Sequence, residues 1–148
     1  MAIKRIDPKA TFKVICEYDS ALINETEEEK VVGTPTRYES YIENLDESKL
    51  KLKEGDKPTY FVVRCLTNRE SILNQEKYVE VDVVAKKSNV KNPTGMLLEM
   101  FNLACLGMED ENGKVVPVTS DDIGLGVAIN IGSLINLYTS LGKNLKNA

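Results

Sequence analysis

The stretch TYFVVRCLTNRESIL, Thr59 to Leu73, holds a strand and a helix start with nothing between them. Tyr60 to Leu66 is dense in β-branched and aromatic residues, which predicts a strand. Both of its faces are largely apolar, which predicts the central place in a sheet. Thr67-x-x-Glu70 then matches a capping box, in which the threonine hydroxyl accepts from the N–H of residue 70 and the glutamate accepts from the N–H of residue 67. The helix is expected from 68 to about 78. Beyond it the pattern is open, because Ile72, Glu76, Val79 and Val83 share a helical face while Val79, Val81 and Val83 alternate as a strand.

One guanidinium, Arg64, sits in that apolar strand. It must be paired, carried to an edge, or presented to a partner. An ion pair with Glu70, Glu80 or another carboxylate is one reading, and a place in a subunit or partner interface is the other. The joint itself, Leu66-Thr67-Asn68-Arg69-Glu70, has no glycine. The chain has no histidine to activate Cys65 or Thr67, so a nucleophile elbow is excluded.

Working outward, Asp7-Pro8 closes a polar lead-in over residues 1–9. From Ala10 to Tyr18, Phe12, Val14, Cys16 and Tyr18 share one face, with Lys13 and Glu17 on the other, as in a half-buried strand. Residues 19–34 form a charged, flexible segment around Glu25 to Lys30. Thr36 to Leu45 fits a strand or a short helix, and the partial alternation of Tyr38, Tyr41 and Ile42 favours a strand. Residues 46–57 read as a charged connector, with Gly55 as its turn signal. Residues 85–91 read as a polar loop. Asn92-Pro93 opens a helix carrying Leu97, Met100, Phe101 and Ala104, which Gly107 is expected to stop. Asn112-Gly113 predicts a hairpin turn between extended arms 106–109 and 115–118, with Pro117 limiting the second arm. A final amphipathic helix runs from Ile131 to Leu141. Ile131, Leu134, Ile135, Tyr138 and Leu141 lie on one face, with Leu145 a turn further.

Composition narrows function. The chain has 148 residues, a net charge of −4 and its nineteen Lys and Arg scattered, which argues against coating nucleic acid. It has no tryptophan, no histidine and no CxxC pair, so stacking platforms and structural zinc lack support. No apolar run approaches the roughly eighteen residues of a membrane helix, and the N-terminus lacks the pattern of a signal peptide. Cys16, Cys65 and Cys105 are odd in number and far apart, as expected of reduced core thiols. GLGVAINIG, residues 124–132, puts Ile129 where a dinucleotide fingerprint needs glycine, so it reads as a flexible lead into the last helix. Asp121-Asp122 is expected to cap a helix N-terminus, and Glu109-Asp110-Glu111 to solvate a hairpin. Neither acidic group has a partner motif for acid–base or magnesium chemistry.

Two patches, F-x-x-R-x-L-T-x-R-E over Phe61, Arg64, Leu66, Thr67, Arg69 and Glu70, and G-x-x-D-E-N-G over Gly107, Asp110, Glu111, Asn112 and Gly113, carry a resemblance. The chain resembles small tailed-bacteriophage proteins described as tail assembly chaperones or similar virion-morphogenesis proteins. It departs from them in the long charged segment 19–57 and in Met108, where such sequences often have an aromatic residue. The resemblance implies a non-enzymatic role without cofactor or metal, in the host cytoplasm during assembly or in the virion. Its implied partners are tape-measure or other phage structural proteins, or further copies of itself, and neither nucleic acid nor membrane. A chaperone of this kind keeps apolar helical tape-measure segments soluble; a relative resident in the particle supplies surface instead.

The expectation is therefore one α+β domain over 1–148. A small, mainly antiparallel sheet in the N-terminal half precedes two or three helices, including the amphipathic C-terminal one. Candidate interface residues are Arg64, Arg69, Ile131, Leu134, Ile135, Tyr138 and Leu141. For the last helix the alternatives are a partner's groove or its own sheet. The rival function is a small phage module that binds a host protein, using the 25–29 acidic cluster as a mimic of nucleic acid.

Overall fold

The computed structural model describes residue 5 and residues 7–143; Leu145 and most of the lead-in before Asp7 lie outside the described residues. The architecture is α+β. Strand β1 (Thr11–Ile15) pairs antiparallel with β2 (Tyr60–Arg64), which pairs antiparallel with β5 (Cys105–Glu109), and β5 pairs with β6 (Val115–Val116). β2 is internal, as its two apolar faces require. Phe61 and Val63 enter the core, while Val62 on the opposite face lies across from Lys13. The Lys13 ammonium reaches over β2 to Glu109 on β5, at 2.6 Å. The β2–β5 register slips between Val62 and Val63, passing over Leu106, and Gly107 there has φ +150°. So Gly107 does not stop the helix; it serves the bulge of a strand that begins at Cys105.

Among the described residues three α-helices follow β2: α2 (Asn68–Tyr78), α3 (Pro93–Ala104) and α4 (Leu125–Ser140). The α3 helix has Asn92 as its N-cap and Pro93 in its first turn. The fourth helix, α1 (Arg37–Asn44), occupies the segment expected as a strand. Thr36 and Glu39 close a reciprocal capping box there, and Tyr38, Tyr41 and Ile42 fall at i, i+3 and i+4, one face of a helix. That face blunts an edge strand: Tyr38 donates its hydroxyl to the Ile15 carbonyl at 2.7 Å and Tyr41 to that of Lys13 at 3.2 Å.

The two charged linkers meet at residues 21–23 and 51–53. Leu22 forms a β-bridge with Leu52, Ile23 N–H donates to Lys51 O, and Lys53 N–H donates to Ala21 O. Ala21 and Leu22 are buried beneath them.

The core is built where α3 and α4 meet the sheet, around Phe101, Ala104, Ala128, Ile131, Ile135 and Tyr138. Phe61 and Phe101 make an edge-to-face pair at 6.4 Å. The glycine run is not a flexible lead: α4 begins at Leu125, and Gly124 is its N-cap without a side-chain cap. Gly132 is buried against the Leu97 backbone carbonyl, into which a methyl group would run. The Asp121-Asp122 pair does not cap α4; Asp122 accepts from the N–H and hydroxyl of Thr119 in the preceding turn.

The last two strands, β3 (Val79–Asp82) and β4 (Lys87–Val90), form a separate antiparallel hairpin in place of the expected loop over 85–91. It grows directly out of the C-terminus of α2.

Candidate functional site

Arg64 is paired inside the fold. Its guanidinium grips the Glu70 carboxylate with two bonds, 2.7 and 2.9 Å, and also donates to the carbonyls of Cys65 at 3.0 Å and Leu103 at 2.8 Å. Glu70 simultaneously closes the capping box, accepting from Thr67 N–H at 2.9 Å. The Arg64 guanidinium, helped by that backbone donor, holds the Glu70 carboxyl down to about 2, against the desolvation that opposes it. One charged cluster thus joins β2, the cap of α2 and the end of α3. Arg69 is exposed on the first turn of α2.

The other interface candidates separate by burial. Ile131, Ile135 and Tyr138 are fully buried and Leu134 nearly so. Tyr138 donates to the Ile42 carbonyl at 2.9 Å, deep in the core. Their apolar face packs on this chain's own sheet and helices, so those four do not offer a groove-binding surface. Leu141, which closes α4, is exposed.

The apolar surface that is open lies elsewhere, and α2 is the reason. Ile72 and Leu73 are more than half exposed, and the buried side chain of α2 is Asn74. Asn74 donates to Glu99 at 3.0 Å, and Lys77 donates to the same carboxylate at 2.9 Å. Among the described residues the amide oxygen of Asn74 has no partner. Polar contacts therefore hold α2 to α3, and the greasy side chains of α2 point to solvent. This inverts the usual arrangement.

The hairpin continues the theme. Every residue of β3 and β4 except Val79 is exposed. Cross-strand pairing puts Val79, Val81, Ser88 and Val90 on one face and Glu80, Asp82, Lys87 and Asn89 on the other. At the tip, Asp82 accepts from the N–H groups of Val84 and Ala85, Lys86 takes a left-handed backbone, and Val83 and Val84 stand almost wholly in water. Sequence reading missed this surface. Its one available signal was the alternation of Val79, Val81 and Val83.

The surface also carries depressions. A cleft of about 400 Å³ lies between residues 17–25 and α1, but its Arg37 is already engaged with Glu25. An open, more apolar one of about 360 Å³ is lined by Cys16, Tyr18, Phe61, Met108, Ile123 and Val127. Burial raises the thiols of Cys16 and Cys105, the latter to about 11, so both stay protonated at neutral pH. Among the described residues no cluster of three or more His, Cys, Asp or Glu is placed to hold a metal, and no helix is long and apolar enough to cross a membrane. No protein-family model matches the chain, and neither a curated protein nor a solved structure does.

Proposed function

We infer that this chain works by protein–protein contact, as a virion-morphogenesis protein of a tailed bacteriophage of the tail-assembly-chaperone kind, active in the host cytoplasm. The observation that supports contact as its mode of action is the inverted arm. Helix α2 and its hairpin are held to the body by charged and amide groups while Ile72, Leu73, Val81, Val83 and Val84 face water. Apolar side chains presented on a polar-anchored element are what a partner surface needs, and they contribute little to the fold that carries them. The phage assignment rests on the two sequence patches around Arg64 and Asn112.

The test is co-expression with apolar helical tape-measure segments of the same phage. The chain should raise their soluble yield, and Ile72→Ser with Leu73→Ser should remove the effect. Tape-measure segments that precipitate equally with and without the chain would contradict the chaperone role. A second reading, a component of the finished particle, draws on the hairpin's two uncovered edges, which suit repeated copies in a ring. Abundant peptides of this chain in purified virions would select it.

A further inference from the structure

The hairpin has a chemical polarity that identifies a partner. An isolated two-stranded sheet is marginal in water, and both edges of this one are uncovered. The Lys91 N–H donates to Tyr78 O at 2.7 Å. Antiparallel pairing alternates, so the internal bonds fall at Glu80/Asn89 and Asp82/Lys87. The backbone groups of Val81 on one edge, and of Ser88 and Val90 on the other, therefore turn outward. Val79 N–H closes α2 on the Gln75 carbonyl, which leaves the Val79 carbonyl as the remaining acceptor on the β3 edge.

The two edges carry opposite charge. β3 bears Glu80 and Asp82; β4 bears Lys87, with Lys91 just beyond it. Pairing β3 with another β3 would set carboxylates against carboxylates. Pairing β4 with another β4 about Asn89 would set Lys87 against Lys91. Pairing β4 with β3 of a second copy sets lysines against carboxylates, and it does so in the register the hairpin already uses.

We propose that the β3–β4 hairpin is a self-association arm, in which β4 of one copy adds to β3 of the next through Val81/Ser88 and Val79/Val90. Each Lys87 then lies between two Asp82 side chains, and Lys91, already 3.4 Å from Glu80 of its own hairpin, gains a second Glu80. The apolar face formed by Val79, Val81 and Val90 becomes continuous from copy to copy. Such a contact is head-to-tail, so it closes into a ring or propagates.

The inference rests on the reading of this chain as a contact protein. Self-association is measured with no other protein present, so its failure leaves the tape-measure test untouched. Sedimentation velocity of the full chain over a concentration series should show mass above the monomer. Ser88→Pro removes an outward N–H while sparing the internal ladder, and it should return the chain to monomer. Glu80→Lys with Asp82→Lys, and separately Lys87→Glu with Lys91→Glu, should each weaken association by about tenfold or more, since two attractive cross-strand pairs become repulsive. Mixing the two charge variants should restore it, even if proline disturbs the hairpin. A wild-type monomer at every concentration, assembly unaffected by Ser88→Pro, or a mixture no larger than its separate components would each overturn the proposal.

Discussion

Replacing Arg64 by methionine keeps most of the stem's packing and removes the guanidinium, so it isolates the clamp that ties α2 to the body. The Glu70 carboxyl falls from an ordinary 4.5 to about 2 beside it. Converted in full at about 1.4 kcal/mol per pH unit, that drop sets a ceiling of about 3.5 kcal/mol. The two side chains are a fifth to a quarter exposed, so solvent screening brings the pair's share to about 1.5 kcal/mol. Two further acceptors, the carbonyls of Cys65 and Leu103, lose a charged donor as well, and the total expected loss is about 2–3 kcal/mol. Urea denaturation at neutral pH reads it as a lower midpoint with an unchanged slope.

The sign of the pH dependence follows from the depressed carboxyl. A group more acidic in the folded chain stabilises above its unfolded value and loses that contribution as pH falls. The stability gap between wild type and Glu70→Gln should therefore shrink from about pH 5 down to about pH 2, where the folded carboxyl protonates. Gln can still accept from Thr67 N–H, so the cap itself is spared. A double-mutant cycle of Arg64→Met and Glu70→Gln should give a coupling of about 1–2 kcal/mol. A loss below about 0.5 kcal/mol for Arg64→Met, or a gap that does not change with pH, would refute the clamp.

Three other substitutions separate fold from surface. Gly132→Ala drives a methyl into the Leu97 carbonyl at the α3–α4 contact and should cost about 2–3 kcal/mol, seen as a lower thermal midpoint. Tyr138→Phe leaves the Ile42 carbonyl in the core without its donor and should cost about 1–2 kcal/mol in urea melts. Ile72→Ser with Leu73→Ser should shift stability by no more than about 0.5 kcal/mol each, because neither side chain supports the core.

Much of the fold could be read along the chain because its signals are local. Tyr60 to Leu66 reads as a strand by composition, of which β2 occupies Tyr60–Arg64, and Thr67-x-x-Glu70 fixes the start of α2 within four residues. The hairpin around Asn112-Gly113 is equally local. The misreadings have physical causes. At 36–45 the spacing of two tyrosines and an isoleucine fits two periods, and the capping box Thr36-x-x-Glu39 decides between them. In α4, a glycine-rich run reads as a flexible lead, whereas Gly132 is small because another helix's backbone passes there. β4, Lys87-Ser88-Asn89-Val90, has no apolar alternation to reveal it.

The burial of the α4 stripe was hidden for a similar reason. Amphipathic spacing marks a face but not what covers it. The stripe on α4 is covered by this chain, and the exposed side of α2 follows from Asn74 finding Glu99, twenty-five residues away. Arg64 likewise was legible as a charge needing an answer, with Glu70 among the answers available.

The central claim is that the arm formed by α2 and the β3–β4 hairpin is where this protein makes contact. Amide hydrogen exchange on the full chain, dilute and concentrated, tests it most directly. Protection gained on assembly should fall on the outward amides of Val81, Ser88 and Val90, with the amides of Val14, Phe61 and Ile131 in the core unchanged. Unchanged exchange across residues 79–90, or new protection confined to other segments, would contradict it.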